Sequence, residues 1–397
     1  MLMYRSRVVG SVAVARQALL AAVALAGLGL CTTAAAVLPP DVGNDQTTGK
    51  LPTPPSRHWV WANDFVFPHM PDGNARLVDG DTGRFLGMLS TGFGFSSILL
   101  PRDGKLIYSP ETYFSRGTRG TRTDVVTIYD ASTLGVVGEI AVPPKHVSGI
   151  PTIGHAALTD DDRWLLIYNF TPAQSVSVVD LSKRTFVGEV ETPGCAFVYP
   201  TGPHTFFGVC ANGDLLTVEL DGGGKATAQK RIDGAIDLSK DPITEKPVRM
   251  GNTWYFISFD GRIVPVQTTT KGTAVGEAWS LLSKDERQKG WRSGGVQQMA
   301  GHAGQNRLYV LMHQGNRDTH KDPGKEVWVY DVATRQRVMK IPLRTIASSI
   351  QVSSDEKPLL FSAFIDGAAI DVYDARIGKH LRTIDNVSTS PTMLMTP

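Results

Sequence analysis

The sequence has no marked excess of charge and no long apolar run, and each shortage excludes a class of protein. Lys and Arg number 40 against 38 Asp and Glu, a net charge of +2. A nucleic-acid-binding domain would be clearly basic, so this balance argues against an electrostatic footprint of that kind. The uncharged apolar run from Ala18 to Leu30 has only 13 residues. A membrane-spanning helix needs about 20, so the run is too short for a span.

Recognisable catalytic motifs are also missing. The sequence has no G-x-S-x-G elbow, no P-loop, no H-E-x-x-H and no C-x-x-C, and Gly92 to Ser97 fails the dinucleotide fingerprint at its last glycine. None of the nine histidines has another histidine four residues away, the spacing that places two metal ligands on one helix face. We expect structural or surface histidines, and a ligand role stays open chiefly for His313 and His320.

The first 36 residues differ from the rest and predict a secretory signal peptide. Arg5, Arg7 and Arg16 precede or flank the apolar run, and small residues end the segment at Ala36. Cys31 follows a leucine, where lipoprotein processing needs a small residue, so we expect it to be removed with the signal. Cleavage leaves a net charge of −1 and directs the chain to the periplasm. Residues 37–56 are predicted to form an N-terminal arm, loose by default.

Two cysteines, Cys195 and Cys210, remain after removal of the signal. In an oxidising compartment such a pair predicts a disulfide. It would close a loop of about 15 residues and contribute on the order of 3 kcal/mol. The alternative, a pair of metal-binding thiolates, lacks the close spacing and the accompanying histidines of a zinc site.

A repeated unit extends through the rest of the chain. Each copy has a strand of alternating apolar residues, a marker residue that is usually acidic, a short polar turn and a second alternating strand. The marker residues of the seven copies are Asp79, Asp130, Asp180, Glu219, Gln267, Asp331 and Asp374. Their spacing, with loop insertions, suits the roughly 40 to 50 residues of a propeller blade. We therefore predict an all-β, seven-bladed β-propeller that forms a single domain over residues 57–397.

A further strand precedes most copies, so at least three strands are predicted in each blade. One short helix is predicted from Ser280 to Gln288, where Ser283 and Glu286 have the spacing of a capping box.

Two loops carry residues that suit a contact surface. Arg116, Arg119 and Arg122 lie on a glycine-rich loop, which is either a solvated turn or a docking loop, since arginine is favoured opposite carboxylates at interfaces. The segment Trp291 to Gln298 combines paired glycines with two glutamines and is either a structural loop or a binding loop. Its candidate interface residues are Trp291, Arg292, Gln297 and Gln298.

Several blocks of sequence, in the same order, resemble the large subunits of the amine dehydrogenases that use tryptophan tryptophylquinone, namely methylamine dehydrogenase and aromatic amine dehydrogenase. The blocks are Asp81 to Met88, Arg119 to Asp124, the spaced Cys195 and Cys210, Gly290 to Gln298, Arg307 to Val310, Gly315 to Lys321 and Asp355 to Leu360. The resemblance covers nearly the whole mature chain. It implies a seven-bladed propeller, in agreement with the repeat count.

The resemblance also implies a heterotetramer of two large and two small subunits. The quinone and the catalytic aspartate would lie on the small subunit, so this chain would carry no catalytic residue and bind no cofactor or metal of its own. A phenylalanine of the large subunit gates the substrate channel in this family. Phe93, within Thr91 to Gly94, matches it, and Phe95 is the alternative because the loop is one residue longer in this chain.

The implied reaction is oxidative deamination of a primary amine, with electrons passed singly to a blue-copper protein or a cytochrome. Trp279 to Leu282, Pro143 to Lys145 and the insertion Met312 to Lys321 are more similar to the aromatic amine enzyme, so aromatic amines are expected to be favoured over methylamine. Two rival functions are a stand-alone periplasmic propeller that binds a ligand without a redox role, and a propeller enzyme with a metal on its axis.

Overall fold

Seven antiparallel sheets follow one another along the chain and close into a ring. The computed structural model describes residues 49–94, 97–149, 152–269 and 272–397. The predicted signal peptide, most of the predicted arm and Phe95 lie outside these ranges. Residues 49–397 form one compact unit. The prediction of an all-β, seven-bladed propeller is confirmed.

All strands except the last fall into the seven sheets in chain order. The first two sheets contain β1 (Trp59–Asp64), β2 (Gly73–Asp79) and β3 (Phe85–Gly92), then β4 (Leu106–Phe114), β5 (Arg122–Asp130) and β6 (Val136–Val142). The third and fourth contain β7 (Ala156–Leu158), β8 (Trp164–Asn169), β9 (Ser175–Asp180) and β10 (Thr185–Glu191), then β11 (Cys195–Pro200), β12 (Thr205–Cys210), β13 (Leu215–Leu220) and β14 (Ala226–Ile232). The fifth contains β15 (Val248–Met250), β16 (Thr253–Ile257), β17 (Arg262–Thr269), β18 (Gly272–Val275) and β19 (Trp279–Ser280). The last two contain β20 (Trp291–Ser293), β21 (Met299–His302), β22 (Arg307–Gln314), β23 (Gly324–Asp331) and β24 (Gln336–Ala347), then β25 (Ser349–Val352), β26 (Leu359–Ala363), β27 (Ile370–Asp374) and β28 (Lys379–Ile384). The remaining strand, β29 (Pro391–Met395), belongs to the first sheet.

The marker residue of each repeat lies at or near the end of the third strand of a sheet. Asp130 ends β5, and its Oδ1 accepts hydrogen bonds from the backbone N–H groups of Ser132 at 2.9 Å and Thr133 at 2.8 Å. Hydrogen bonds from the Ser132 hydroxyl and from the backbone N–H and hydroxyl of Thr133 lower the pKa of Asp130 to about 2. Asp79 closes the turn after β2 in the same way. The acidic residue recurs because its side chain caps the turn that reverses the chain.

The core lies between neighbouring sheets. All six residues of β8 are buried, because an inner strand is covered on both faces, by one adjacent sheet on each side. One apolar cluster joins Trp164 and Val176 of the third sheet to Phe206 and Val218 of the fourth. The outer strand β14, by contrast, is exposed along almost its whole length. Each sheet is therefore held in place by apolar burial against both of its neighbours.

The last strand closes the ring. β29 pairs with β1, so that Trp61 lies opposite Met395, and it becomes the innermost strand of the first sheet. The side chain of Gln297 strengthens this closure, because it accepts a hydrogen bond from Leu394 N at 2.7 Å and donates one to Leu394 O at 2.9 Å. The first strands of several neighbouring sheets contact one another and surround an axial cavity of about 430 Å³.

The two ends of the propeller carry different connections. We denote as the upper face the end with the loops between second and third strands, such as residues 115–121 between β4 and β5, and with the segments that lead from one sheet to the next. The lower face carries the other turns within each sheet. In the second sheet an isolated bridge between Leu99 and Tyr108 stands in the place of a first strand, so β4 is its second strand.

Helical structure is scarce among the described residues. The helix α1 (Lys284–Gln288) has the predicted capping box, in which Ser283 Oγ accepts from Glu286 N and the Glu286 carboxylate accepts from Ser283 N. It begins four residues later than predicted, because Ser280 belongs to β19 and pairs with Arg262 on β17. Three short 3₁₀ helices span Phe67–Asp72, Ile153–His155 and Ala303–Gln305. No helix within the described part of the chain is long and apolar enough to cross a membrane.

The start of the described chain is fixed to the propeller. Leu51 N donates to Ser132 O at 2.8 Å, and the Leu51 side chain packs against the apolar cluster shared by the first two sheets. The described end of the predicted arm is therefore ordered against the lower face.

Candidate functional site

Phe93 lies on the upper face in a turn that the backbone holds tightly. Its N–H donates to Thr112 O at 2.8 Å, and the N–H of Gly94 donates to Met70 O at 3.1 Å. Both flanking glycines have positive φ, +69° at Gly92 and +85° at Gly94. A Cβ at Gly94 would lie 2.2 Å from Ser148 O, so glycine is required there. The Gly-Phe-Gly sequence thus places an aromatic ring close against neighbouring backbone.

The Phe93 ring is half-buried and meets Phe114, at the end of β4, edge to face with a centroid distance of 5.1 Å. Such a contact stabilises a ring orientation modestly beyond the area it buries. The other candidate, Phe95, lies outside the described residues, and the choice between the two phenylalanines stays a prediction.

The chain is again held inside the propeller at Ser97, four residues beyond Phe93. Ser97 N donates to His155 Nε2 at 3.2 Å, and Ser97 Oγ lies 2.8 Å from the same atom. Ile98 N donates to Asn63 Oδ1 at 3.2 Å. The chain is therefore held at Phe93 by Thr112 of the second sheet and at Ser97 by His155 of the segment that enters the third sheet.

Two buried histidines form the polar core of this region. His146 and His155 are 2% and 0% exposed, and His146 Nε2 lies 3.4 Å from His155 Nδ1. Burial lowers the pKa of each to about 3, with Arg122 adding to the shift of His146. Both imidazoles are therefore neutral at ordinary pH.

A buried carboxylate lies on the adjacent strand. Glu111 of β4 is fully buried and accepts hydrogen bonds from Tyr113 and Thr127, each at 2.6 Å, and from Tyr129 at 3.3 Å. Burial raises the pKa of Glu111 despite these donors. Sequence reasoning missed Glu111, His146 and His155. The one local signal was for Glu111, an acidic residue inside the largely buried strand β4.

The predicted arginine loop divides into two parts. Arg116 and Arg119 are exposed at the tip of the β4–β5 hairpin, where Arg116 N donates to Arg119 O at 3.0 Å. Arg122 instead binds Asp124 through Nε at 2.8 Å and Nη2 at 2.7 Å, and its Nη2 also donates to His146 O at 2.5 Å. Arg122 thus supports the Phe93 region from within the chain, and only the tip arginines are free to meet a partner.

The segment from Trp291 to Gln298 is occupied within the chain. Trp291 is half-buried and packs on Trp328, with ring centroids 4.9 Å apart. Arg292 donates to Gly315 O at 3.1 Å and Phe259 O at 3.3 Å. Gln298 is fully buried and donates to Thr244 Oγ1 at 2.9 Å.

Gln297 therefore joins the segment before β21 of the sixth sheet to β29 of the first sheet, and Gln298 joins the same segment to the residues that lead into the fifth sheet. Their amides point into the propeller instead of lying on its outer surface, because each is bonded to another strand or connecting segment of the same chain. Of this group of candidate interface residues, Trp291, Arg292 and Gln297 retain partial exposure.

The predicted disulfide is confirmed. Cys195 on β11 and Cys210 on β12 lie directly opposite each other and are bonded. They line an upper-face pocket of about 310 Å³ whose walls are mainly apolar and include Tyr168, Phe170 and Phe197. Phe170 is 50% exposed, which makes this pocket a second apolar feature of the same face.

His313 and His320, the histidines left open by the sequence, have local partners. His313 Nε2 lies 2.8 Å from Thr319 Oγ1, and His320 stacks on Phe259 with a centroid distance of 4.0 Å. Within the described ranges, no group of three or more His, Cys, Asp or Glu side chains is placed to hold a metal ion.

Comparison with known families decides the relationship. The family model described as methylamine dehydrogenase heavy chain matches residues 60–397, which is nearly the whole propeller. The chain belongs to the methylamine dehydrogenase heavy-chain family. Among curated members, the Paracoccus versutus heavy chain is 32% identical over 325 residues, covering 81% of this chain and 75% of that protein. The Methylorubrum extorquens heavy chain is 29% identical, covering 81% and 78%.

Solved structures support the heavy-chain fold without adding function. The Pseudomonas aeruginosa periplasmic gluconolactonase has a TM-score of 0.57 at 14% identity, covering 85% of this chain and 98% of that one. The dihydro-heme d1 dehydrogenase has a TM-score of 0.51 at 14% identity, covering 85% and 75%. Identities this low carry information about fold alone. Membership of the heavy-chain family supports a role as the large subunit of an amine dehydrogenase.

Proposed function

We propose that this chain is the large, non-catalytic subunit of a periplasmic amine dehydrogenase. The complex would convert a primary amine and water to an aldehyde and ammonia, releasing two electrons and two protons. The electrons would pass singly to a blue-copper protein or a cytochrome. The observation that carries the proposal is the heavy-chain family match over residues 60–397.

The quinone is proposed to lie on a small partner subunit. Tryptophan tryptophylquinone, when present, supplies the electrophilic carbonyl that reacts with the amine and stores the electrons. We interpret the tryptophans of this chain as packing residues, because six of the seven are core residues with 9% exposure or less. The seventh, Trp291, packs on Trp328 beneath the side chains of Lys325 and Lys340. These are packing residues of the heavy chain.

The contribution of this chain would be the wall of the substrate entrance. Phe93 is half-buried, rests on another aromatic ring and has its backbone fixed on the upper face. An aromatic side chain at the mouth of a channel excludes water and selects substrates by shape. We therefore propose that the partner subunit docks on the upper face, with Phe93 at the entrance to the partner's reactive group.

The exposed tip arginines, Arg116 and Arg119, suit docking of the small subunit. Arginine side chains form paired hydrogen bonds with carboxylates, and the tip projects on the same face as Phe93. The apolar pocket beside the disulfide adds buried area to that face. We propose an assembly of two large and two small subunits joined there.

We propose that aromatic amines are favoured over methylamine. The support is the similarity of Trp279 to Leu282, Pro143 to Lys145 and Met312 to Lys321 to the aromatic amine enzyme. The curated relatives are named for methylamine, so the two amines have to be tested side by side.

Periplasmic location follows from the predicted signal peptide, and the disulfide agrees with it, since such bonds persist in oxidising compartments. Removal of residues 1–36 is checked by mass spectrometry of the purified mature chain.

The test is to express this chain together with a cysteine-rich small subunit encoded beside it. We expect a complex with quinone absorbance that reduces a dye only when a primary amine is added. Purification of the chain from its own cells, always alone and without amine-dependent activity, would refute the proposal.

The gate is tested in that complex with Phe93→Ala. We expect assembly to persist while the ratio of kcat/KM for an aromatic amine to that for methylamine changes about tenfold. Phe85→Ala is the matched control. Phe85 begins β3, the strand that leads to Phe93, but it lies at the lower face and is 59% exposed. An unchanged ratio in Phe93→Ala would place the gate elsewhere, with Phe95 the next position to substitute.

A second candidate function is a stand-alone periplasmic binding protein. The axial cavity of about 430 Å³ favours it, because the buried Lys246 lies in the cavity wall. Isolation of the chain with a small molecule in that cavity and no partner subunit would support this alternative.

A further inference from the structure

Contacts on two sides of Phe93 lead to the same pair of buried histidines. Thr112 O accepts from Phe93 N, and Thr112 Oγ1 lies 3.5 Å from His146 Nδ1. His146 contacts His155, and His155 contacts Ser97, which lies four residues beyond Phe93. We name the four residues Ser97, His155, His146 and Thr112 the histidine bridge.

The hydrogen bonds of the histidine bridge run in one direction. A backbone N–H can only donate, so the contact from Ser97 N makes His155 Nε2 an acceptor and leaves the ring proton on Nδ1. His155 Nδ1 then donates to His146 Nε2, and His146 Nδ1 donates to Thr112 Oγ1. One backbone amide of the turn thus sets the tautomer of both rings.

The histidine bridge is sealed from water. Its members are all buried, with exposures of 4% at Ser97, 0% at His155, 2% at His146 and 0% at Thr112. A partner lost from such a site leaves a polar group without a replacement, which costs more than a typical exposed hydrogen bond.

Charged groups surround His146 on its outer side. Its backbone N–H donates to Asp124 Oδ2 at 3.1 Å, and its carbonyl accepts from Arg122. Arg122 Nη2 also lies 3.4 Å from Thr112 Oγ1. The arginine, the aspartate and both histidines therefore act on the same short section of β4 to which Phe93 is bound.

The structure assigns to His155 the role of a positioning residue, which holds the Phe93 turn at the substrate entrance through Ser97 on one side and through His146 and Thr112 on the other. This assignment rests on the proposed gate function of Phe93. It does not make His155 a catalytic residue, because it is fully buried and reaches substrate only through the turn it supports.

The test uses two changes at His155 in the assembled complex. His155→Leu removes both ring nitrogens at similar volume. His155→Gln keeps an amide oxygen near the position of Nε2, where it can accept from Ser97. We expect His155→Leu to change the aromatic-to-methylamine ratio of kcat/KM about tenfold and His155→Gln to keep it within about twofold of the native value.

Hydrogen exchange reports on the turn directly. We expect the backbone amides of residues 93–98 to exchange faster in His155→Leu and at near-native rates in His155→Gln. Ser97→Ala, which removes only the hydroxyl contact, provides a milder variant should His155→Leu not fold. It should shift the same two readouts in the same direction by a smaller amount.

His302→Leu is the matched control. His302 is also buried and also uses both nitrogens, accepting from Gln305 N at 3.1 Å and lying 2.7 Å from Asp355 O, but it does so at the lower face. We expect its loss to lower stability without changing the amine ratio or the exchange of residues 93–98.

The outcomes separate the two proposals. Native exchange in residues 93–98 of His155→Leu would overturn the positioning role whatever the kinetics show. Faster exchange in His155→Leu, combined with an unchanged amine ratio in Phe93→Ala, would show that His155 holds the turn but that the turn does not gate substrate. That result would refute both the assignment as stated and the proposed gate.

Discussion

The lower and upper faces of the propeller are built by different means. At the lower face the carboxylates that end third strands bond to backbone N–H groups two or three residues further on, as Asp130 does with Ser132 and Thr133. At the upper face the important contacts join distant residues, 58 positions apart for Ser97 and His155 and 24 apart for Arg122 and His146. Local turns repeat from sheet to sheet, whereas each long-range contact is particular to its place and can be specialised for function.

Matched arginine–aspartate pairs at the two faces make the comparison quantitative. Arg122 and Asp124 form two parallel hydrogen bonds at the upper face, with Asp124 1% exposed. Arg376 and Asp374 form the same two bonds at the lower face, where the arginine is 46% exposed.

We expect Arg122→Ala to lower the free energy of unfolding by about 3–5 kcal/mol, because it leaves a buried carboxylate without its cation. Arg376→Ala should have little measurable effect, since water replaces an exposed partner. Urea unfolding of both variants measures the difference. Equal losses would mean that burial does not distinguish the two faces.

Acid should weaken the upper face in particular. Burial lowers the pKa of His146 and His155 from 6.5 to about 3, so below about pH 6.5 the unfolded chain binds protons that the folded chain does not. The contribution of the two histidines to the free energy of unfolding is therefore fully present above that pH. It falls on the order of 1 kcal/mol per pH unit for each histidine as the pH drops towards 3.

Urea unfolding at pH 7, 6 and 5 checks this slope. His155→Gln should make it shallower, because one of the two titrating groups is removed. His69→Gln, at an exposed position, should leave it unchanged. A slope identical in all three proteins would contradict the assignment of acid sensitivity to the buried pair.

A smaller but measurable effect is expected at a lower-face turn. Asp180 ends β9 and accepts from Ser182 Oγ at 2.6 Å and Lys183 N at 3.0 Å. Asp180→Ala should cost about 1 kcal/mol, and Asp180→Asn less, because asparagine keeps the accepting oxygen. Thermal unfolding of the two variants measures the difference in stability between them. A loss in Asp180→Asn as large as in Asp180→Ala would show that charge, not the turn contact, matters there.

The fold could be predicted because the turn contacts of the lower face join residues that are close in the sequence. An acidic residue after alternating apolar positions appears in the sequence itself, as in Val125 to Asp130, and seven such units define the ring. The first strands were harder to recognise, since β7 and β15 have only three residues each and show no usable alternation. The closing strand β29 likewise gave no signal of its own.

The candidate site could be predicted only in part. The Cys195–Cys210 pair was predicted by counting cysteines, whereas Phe93 was proposed by resemblance and its role stays a prediction. His146 and His155 were read as isolated structural histidines, because nothing local indicates that a segment near residue 97 returns to meet residue 155. Arg122, Gln297 and Gln298 were grouped by composition with surface residues, and only their partners show that they serve the interior.

The pairing of β29 with β1 also has a bearing on aggregation. Until residues 391–395 pair with it, β1 presents an unsatisfied edge, which is the kind of strand that recruits other chains into aggregates. A molecule in which β29 has not yet paired would thus be the form most exposed to aggregation.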